Sequence, residues 1–300
     1  MKGMQLKGIL PALVTPLQAD NRTVNTDAVC KLISSQLKAG ANGFYVLGGT
    51  GEGLALGRET REVMCESAIK QVARRKPVII HVTNMDVKET ISFAQYAERA
   101  GADAIASVPP FFFAYRPEDI YLYYKKLAES VSIPLIIYYH PAAQKEMKAE
   151  QIARLFEIDN ITGVKWSSGN YYEMMRLKDI TNGEMNVING PDEMLLCGLA
   201  AGADAGIGST YNVMLREFVE IYELFHAGKW KEAQAIQYKV NRVIAEMLNF
   251  GVIPGVKSAL KRSGIDVGNA SFPMRQPTQK EEEKFWEKLQ AVDFPFLGDK

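Results

Sequence analysis

The sequence has little of what marks several classes of protein. Its 300 residues contain three cysteines, Cys30, Cys65 and Cys197, which are odd in number and far apart along the chain. A framework of disulfides is therefore not expected, and we predict reduced, mostly buried thiols in a cytoplasmic protein. Thirty-five basic residues balance 35 acidic residues, so the bulk charge predicts no nucleic-acid partner.

Long apolar runs and two familiar binding signatures are also missing. No stretch approaches the roughly 18 apolar residues of a membrane span, so we expect no membrane association. Pro11 and Pro16 interrupt the apolar N-terminal stretch, which argues against a secretory signal. No Gly-x-Gly-x-x-Gly follows the first predicted strand, and no His lies at a recognisable metal-site spacing from Asp or Glu. We therefore expect no metal.

A short phrase recurs along the chain. Ala39-Gly40-Ala41, Ala100-Gly101-Ala102 and Ala201-Gly202-Ala203 each end an amphipathic segment and lead, after an Asn or Asp, into an apolar run. Glycine supplies the left-handed conformation that ends a helix, and the apolar run that follows is typical of a buried parallel strand. The phrase therefore indicates a βα unit that is used repeatedly.

Eight such alternations predict an α/β fold, a (β/α)8 TIM barrel, over residues 1–228, with a doubly wound open sheet as the alternative. Residues 229–300 do not alternate, and they predict a helical C-terminal extension packed on the barrel. The predicted strands lie near residues 8–15, 43–48, 77–83, 104–109, 134–139, 161–166, 186–190 and 205–209. The predicted helices lie near residues 26–39, 58–74, 87–100, 117–130, 149–157, 170–180, 192–201, 213–227, 230–249, 255–263 and 278–291.

Lys165 stands at the end of the sixth predicted strand. Desolvation lowers the pKa of a lysine, and a neutral amine is a nucleophile toward carbonyl groups. A solvated lysine at a strand terminus is the simpler interpretation of this residue taken alone. In a barrel, catalytic groups come from the carboxyl ends of different strands. The residues at the neighbouring strand ends therefore help to decide between a nucleophilic and a solvated lysine.

Those strand ends are polar. The turn at residues 48–53 presents backbone N–H groups and the Thr50 hydroxyl, which suit a carboxylate or phosphate, although a tight structural turn has the same composition. Tyr138 ends the fifth strand and can hold or pass a proton, although a core tyrosine bonded to a carbonyl is the structural alternative. The seventh strand leads into Gly190-Pro191-Asp192-Glu193, whose acids either bind ligand hydroxyls or favour the next helix N-terminus. The eighth ends in a glycine turn at residues 206–210. Polar turns around one lysine indicate an active site.

These motifs resemble the pyruvate-dependent aldolase family that contains N-acetylneuraminate lyase and dihydrodipicolinate synthase. The resemblance runs from about residue 7 to residue 265. Its marks are Gly49-Thr50-Gly51-Glu52, Tyr138 two positions before His140-Pro141, Gly163-Val164-Lys165, and Gly206-Ile207-Gly208-Ser209-Thr210-Tyr211-Asn212.

The resemblance implies a Schiff-base mechanism. Lys165 would form an imine with the C2 ketone of pyruvate, so no cofactor is expected beyond this covalent lysine imine. Gly49 and Thr50 would bind the substrate carboxylate, and Tyr138 would carry the proton of the departing or attacking oxygen. The resemblance also implies a small-molecule 2-oxo acid as substrate and a homotetramer with active sites near subunit contacts.

Within the family, the residues favour the lyase branch. The positions that contact the glycerol-like hydroxyls of a sugar acid in the lyases are occupied here by Gly190, Asp192, Glu193 and Ser209. Ser167 stands where the lyases carry a threonine. Dihydrodipicolinate synthases carry an arginine where this chain has Ala142-Ala143-Gln144. We therefore expect cleavage of a sialic-acid-like 2-oxo sugar acid, such as N-acetylneuraminate, to pyruvate and an aldehyde sugar.

Two departures from the family pattern concern proton transfer. Gly49 replaces a serine or threonine that relays a proton, and Phe112 replaces a tyrosine that synthases lend to a neighbouring subunit, with Tyr115 a candidate to reach in. The Gly-Gly-Thr-Gly-Glu turn also resembles deoxy-oxo-glucarate dehydratases of the same superfamily. Sugar-acid dehydration, aldol chemistry on another aldehyde, and non-catalytic binding of a 2-oxo acid are therefore the alternatives. A phosphosugar enzyme ranks last, since no Lys or Arg stands beside residues 206–210.

Overall fold

The computed structural model describes residues 4–141, 143 and 146–294. It confirms the (β/α)8 barrel that the repeated phrase predicted. The strands are β1 (Gly8–Pro11), β2 (Phe44–Val46), β3 (Val78–His81), β4 (Ala104–Ser107), β5 (Leu135–Tyr139), β6 (Ile161–Trp166), β7 (Asn186–Asn189) and β8 (Ala205–Gly208). They form one parallel sheet in the order β1-β8-β7-β6-β5-β4-β3-β2.

A helix follows each strand around the barrel, and further helices form the C-terminal extension. The barrel helices are α1 (Thr26–Lys38), α2 (Arg58–Val72), α3 (Val87–Ala100), α4 (Pro117–Ala128), α5 (Ala149–Phe156), α6 (Tyr171–Ile180), α7 (Leu195–Ala200) and α8 (Tyr211–His226). A single 3₁₀ turn, Asp192–Met194, precedes α7. The extension contains α9 (Trp230–Phe250), α10 (Val252–Arg262) and α11 (Gln279–Ala291).

The sheet closes between β1 and β2. Ala12 pairs with Tyr45 in an isolated parallel bridge, and the Leu13 N–H donates to the Tyr45 carbonyl at 2.9 Å. Asn212 ties the same region to β8, because its Nδ2 donates to the carbonyls of Ala12 (2.6 Å) and Ser209 (2.7 Å). Since the strands are parallel, their carboxyl ends share one rim of the barrel.

Strand alternation decides which side chains enter the barrel. The inner cluster is built from residues such as Leu10, Tyr45, Ile79, Ala106, Ile136, Ile188 and Ile207, while the outward residues pack against the helices. Lys165 on β6 is in register with Tyr138 on β5 and with Ile188 on β7. Because neighbours in register point to the same face of a sheet, Lys165 faces the interior near its carboxyl-terminal rim.

Some predicted boundaries differ from the structure. The first strand is shorter than residues 8–15: its regular pairing ends at Pro11, Ala12 forms only the isolated bridge, and the Thr15 hydroxyl donates to the Gly51 carbonyl at 2.6 Å. The helix predicted from residue 192 starts as the 3₁₀ turn. The helix predicted from residue 213 begins two residues earlier, at Tyr211.

The cysteines are free thiols, with Cys65 buried, Cys30 partly exposed and Cys197 exposed. Burial raises the pKa of the Cys65 thiol to about 12, which leaves it protonated and unreactive. The prediction of mostly buried thiols is therefore wrong for Cys197. On the short helix α7, Leu195, Leu196 and Leu199 take the core-facing positions, so Cys197 lies on the outward face.

The extension packs along one side of the barrel. Helix α9 lies against α8, α10 contacts both α8 and α9, and α11 packs on α9. Gln237 on α9 accepts from the Leu196 N–H (3.1 Å) and donates to the Asp192 carbonyl (3.2 Å), which connects the extension to the rim. Among the described helices, none alone is long and apolar enough to cross a membrane. Helices α9 and α10 reach the required length and hydropathy only as a pair, and the pair is bent by 113°.

Candidate active site

The Lys165 side chain is 6 % exposed, and aromatic rings surround its ammonium group. Its Nζ atom lies 4.2 Å from the centroid of the Tyr138 ring and 4.9 Å from that of Tyr45. A ring face attracts a cation and replaces part of its lost hydration. Within the part of the chain that the structure describes, no carboxylate forms an ion pair with Lys165. The amine is thus held in place without a permanent counter-ion.

Tyr138 is fixed by ring contacts on several sides and is partly exposed at the rim. The edges and faces of Tyr45, His81 and His140 meet it with centroid separations of 6.1, 5.7 and 5.7 Å. Such edge-to-face contacts restrict the tilt of an aromatic ring. The phenol therefore has a defined position beside the Lys165 amine.

His81 begins a buried chain of hydrogen bonds that sequence reasoning did not detect. Its Nδ1 lies 3.2 Å from the Leu47 carbonyl, and its Nε2 lies 3.1 Å from the Thr83 hydroxyl. The chain continues from Thr83 to the Ser107 hydroxyl at 2.7 Å. Burial, reinforced by the nearby positive charges of Arg61 and Lys165, lowers the pKa of His81 to about 3. The imidazole is therefore neutral near pH 7 and supports the rim beneath Tyr138.

Two glycine-rich turns meet across the rim. The Thr50 hydroxyl lies 2.7 Å from the Ser209 hydroxyl, which joins the turn after β2 to the turn after β8. Glu52 N–H closes the first turn by donating to the Gly49 carbonyl at 3.0 Å. The backbone N–H groups of Gly49 and Thr50 donate to no acceptor among the described residues. They are available to an anionic ligand.

Ser167 and Gly190 are in contact at the ends of β6 and β7. A Cβ built on Gly190 would lie 2.1 Å from the Ser167 Oγ atom. A side chain at position 190 would therefore displace this hydroxyl, and its Cβ would also lie 2.9 Å from the Trp166 carbonyl oxygen. The Gly190 N–H donates to the Trp166 carbonyl at 2.8 Å, and the Ser167 N–H donates to the Tyr139 carbonyl at 2.9 Å. Both residues are partly exposed toward the mouth of the barrel.

Asp192 spans the gap between the seventh and eighth strands. Its Oδ2 atom accepts from the Thr210 N–H at 2.7 Å and from the Thr210 hydroxyl at 2.6 Å. Burial raises the pKa of this carboxyl to about 6, with Glu193 acting in the same direction and the bonds from Thr210 opposing it. Asp192 therefore joins the ends of the seventh and eighth strands through Thr210, which is the N-cap residue of α8. The Glu193 side chain is exposed.

The residues that the sequence singled out do not all gather at one point. Lys165 and Tyr138 are adjacent, and three further pairs follow around the rim: Thr50 with Ser209, Ser167 with Gly190, and Asp192 with Thr210. Glu193 reaches solvent beside them.

Three other expectations concern residues beside the rim. Tyr115 contacts the Phe113 ring at 6.2 Å, and no contact with Lys165 or Tyr138 is among its described interactions. Ala142 and Gln144, which belong to the stretch where dihydrodipicolinate synthases carry an arginine, lie outside the described residues. No group of three or more His, Cys, Asp or Glu side chains in the described ranges could hold a metal ion.

Comparison with known proteins links this geometry to a family. The dihydrodipicolinate synthetase family matches residues 5–292. A curated protein named N-acetylneuraminate lyase, from Rhizobium meliloti (strain 1021), is 32 % identical over 295 residues, which cover 98 % of this chain and 97 % of that protein.

Solved structures give the same result. The crystal structure of CdNal from Clostridium difficile in complex with mannosamine has a TM-score of 0.92 at 29 % identity, covering 96 % of this chain and 100 % of that one. A chloride-inhibited dihydrodipicolinate synthase from Acinetobacter baumannii, complexed with pyruvate, has a TM-score of 0.90 at 27 % identity, covering 97 % and 100 %. These matches confirm the resemblance noted in the sequence and show that the chain belongs to the dihydrodipicolinate synthetase family.

Proposed function

We propose that this chain is a class I aldolase that cleaves a sialic-acid-like 2-oxo sugar acid, such as N-acetylneuraminate, to pyruvate and an aldehyde sugar. One observation carries the proposal: an inward-facing lysine without a carboxylate partner lies against the ring of Tyr138. Such an amine is free to attack a ketone. Similarity to a protein named N-acetylneuraminate lyase supports the choice of substrate class.

The covalent steps balance without a cofactor. The Lys165 amine adds to C2 of the substrate, and loss of water gives a protonated imine. The C3–C4 bond then breaks: its electron pair moves into an enamine and neutralises the imine nitrogen, while the C4 hydroxyl loses its proton and becomes the aldehyde. Protonation of C3 and addition of water to C2 release pyruvate and restore the amine.

Two groups serve the reacting end of the substrate. The N–H groups of Gly49 and Thr50, with the Thr50 hydroxyl, bind the carboxylate next to the ketone. Tyr138 accepts the proton of the C4 hydroxyl, helped by the positive iminium nitrogen beside its ring, and returns a proton to C3. The support is positional: Tyr138 contacts Lys165 directly, and Thr50 stands on the same rim.

The remaining rim residues bind the hydroxyl-bearing end of the sugar acid. Ser167 and Ser209 present hydroxyls, and Gly190 leaves the space in which Ser167 sits. Asp192 and Glu193 supply carboxylates that accept hydrogen bonds from sugar hydroxyls. The mannosamine complex of the C. difficile relative supports a sugar ligand for the family member proposed here.

A substrate panel tests the choice of reaction. Pyruvate release should be fastest with N-acetylneuraminate or a related 2-oxo sugar acid, because the rim offers several hydroxyl-binding groups. Sugar-acid dehydration is the competing function, because the turn that contains Gly49 resembles that of the deoxy-oxo-glucarate dehydratases. Rapid turnover of a deoxy-oxo-glucarate with none of N-acetylneuraminate would overturn the lyase assignment. An imine on Lys165 without turnover of any panel member would favour a non-catalytic binder.

Replacement of the two central residues should separate covalent capture from proton transfer. Lys165→Ala should abolish borohydride trapping of pyruvate and lower kcat by about 10³-fold or more, because the nucleophile is lost. Tyr138→Phe should keep trapping but lower kcat by roughly 10² to 10⁴-fold, since only the proton carrier is missing. Tyr172→Phe, at an exposed tyrosine on α6, is the matched control. Full activity in Lys165→Ala would contradict the mechanism.

Gly49→Ser tests what replaces the missing relay hydroxyl. A Cβ at Gly49 would meet no atom within 4 Å, so the variant should fold normally. If a hydroxyl at this position assists proton transfer to Tyr138, kcat should rise several-fold while the pyruvate dependence of imine trapping changes by less than about twofold. A fall in kcat with weaker trapping would instead mean that the open space is needed by the substrate.

The proposed homotetramer can be tested at the loop after β4. Phe112 and Phe113 are 79 % and 66 % exposed and lie edge to face at 5.0 Å. Clustered exposed aromatic rings are typical of a contact surface. Phe112→Glu should therefore shift the sedimentation equilibrium toward smaller species, whereas Tyr172→Glu at another exposed aromatic residue should not. A monomeric wild type, or a tetramer unaffected by Phe112→Glu, would contradict this surface as the subunit contact.

A further inference from the structure

Glu52 is a buried carboxylate that the catalytic scheme does not use. It belongs to the turn after β2, two residues beyond Thr50, and is only 4 % exposed. Its side chain points toward the C-terminal extension and away from the groups that are proposed to bind the substrate. A buried carboxylate requires compensation by charge or hydrogen bonds, and here all of that compensation comes from residues beyond position 250.

Lys257 on α10 provides the opposite charge. Its Nζ atom lies 2.6 Å from the Glu52 Oε1 atom, and it is itself 2 % exposed. The same ammonium donates to the Asn269 carbonyl at 2.8 Å. Burial lowers the pKa of Lys257, and the charge of Glu52 opposes that effect. The pair is therefore a fully desolvated ion pair between the rim and the extension.

Ser271 completes the attachment at the second carboxylate oxygen. The Glu52 Oε2 atom accepts from the Ser271 hydroxyl at 2.6 Å and also from the Ser271 N–H. The segment before Ser271 is fastened to the barrel as well, because the Leu17 N–H donates to the Val267 carbonyl at 3.0 Å. The extension thus holds both oxygens of the Glu52 carboxylate in defined positions.

The Glu52 backbone shapes the turn that carries the free N–H groups. Its N–H donates to the Gly49 carbonyl at 3.0 Å, which sets the orientation of the Gly49–Thr50 peptide. Glu52 has φ of 58°, and Leu47 at the start of the turn has φ of 63°. Non-glycine residues rarely adopt this left-handed conformation, and it persists where surrounding contacts enforce it. The attachment to Lys257 and Ser271 supplies such contacts.

We propose that the C-terminal extension positions the turn that binds the substrate carboxylate. Lys257 and Ser271 hold Glu52, and Glu52 holds the turn whose Gly49 and Thr50 N–H groups receive the substrate carboxylate. Glu52 and Lys257 are positioning residues, since neither touches the reacting atoms. The inference rests on the proposed function, because it takes the turn to be the site of the 2-oxo acid's carboxylate.

Borohydride trapping with two ketones tests this inference. Pyruvate carries the carboxylate that the turn would bind, whereas acetone does not. Intact-protein mass spectrometry measures how much lysine adduct forms as each ketone concentration rises. Lys257→Met and Glu52→Ala should raise the pyruvate concentration for half-maximal trapping about tenfold, as expected when a carboxylate contact is lost. Their trapping of acetone should match that of the wild type. Glu52→Gln, which keeps an acceptor for Ser271, should show a smaller shift.

A second ion pair provides the matched control. Lys178 on α6 lies 3.0 Å from Asp204, just before β8 and therefore at the opposite end of the barrel. Lys178→Met removes a partly buried ion pair but should leave both trapping curves unchanged. Circular dichroism checks that each variant is folded. If Lys257→Met or Glu52→Ala does not fold, Ser271→Ala and Glu52→Gln carry the test, with shifts of roughly two- to threefold for pyruvate alone.

Three results would count against the inference in different ways. Unchanged pyruvate dependence in the folded variants would overturn it, and so would an equal loss of pyruvate and acetone trapping, which would mark a general effect on the fold. A wild type that traps neither ketone would instead overturn the proposed function, and the inference with it. Selective loss of the pyruvate response is the outcome that supports a positioning role.

Discussion

The site depends on a buried ammonium group that is held by aromatic rings instead of a carboxylate. Lys165 reaches this environment because β6 places it inward, in register with Tyr138, while Tyr45 enters from β2 across the barrel. A lysine in a permanent ion pair has its amine engaged, and breaking such a buried pair costs about 3 to 5 kcal/mol. Ring faces stabilise a desolvated cation by about 2 kcal/mol or more without forming an ion pair with it. Among the described residues, Lys165 therefore has no ion pair that must break before its amine reacts.

The rim around this amine is assembled from contacts between segments that are distant in sequence. Thr50 meets Ser209, Asp192 meets Thr210, and Glu52 meets Lys257 and Ser271. The two buried acids differ in their compensation. Asp192 accepts hydrogen bonds from neutral donors, and burial raises its pKa to about 6 although Thr210 and the charge of Lys165 oppose the rise. Glu52 instead forms a buried ion pair with the Lys257 ammonium group. Asp192 thus joins two strand ends, whereas Glu52 joins a turn of the rim to the C-terminal extension.

Much of the fold was predictable because its signals are local. The Ala-Gly-Ala phrase that ends three of the predicted helices and the apolar runs that follow identify the βα units, and the position of Lys165 at the end of the sixth strand places it at the rim of the barrel. The ion pair of Glu52 with Lys257 was not predictable in this way. Ser271, which also contacts Glu52, is 219 residues away from it in the sequence. No local pattern predicts a contact at that separation. The hydrogen-bond chain from His81 was missed for the same reason, although the polar alternation of His81 and Thr83 at the end of β3 was a usable signal. The prediction for Cys197 was wrong because the leucines of α7 take the core-facing positions.

A crystal structure of the protein soaked with pyruvate tests the central claim most directly. The account predicts continuous density from the Lys165 Nζ atom to C2 of pyruvate, with the carboxylate within hydrogen-bonding distance of the Gly49 and Thr50 N–H groups and the Tyr138 hydroxyl beside the new imine. Pyruvate bound without a covalent link to Lys165, or with its carboxylate away from the turn at residues 48–53, would contradict it.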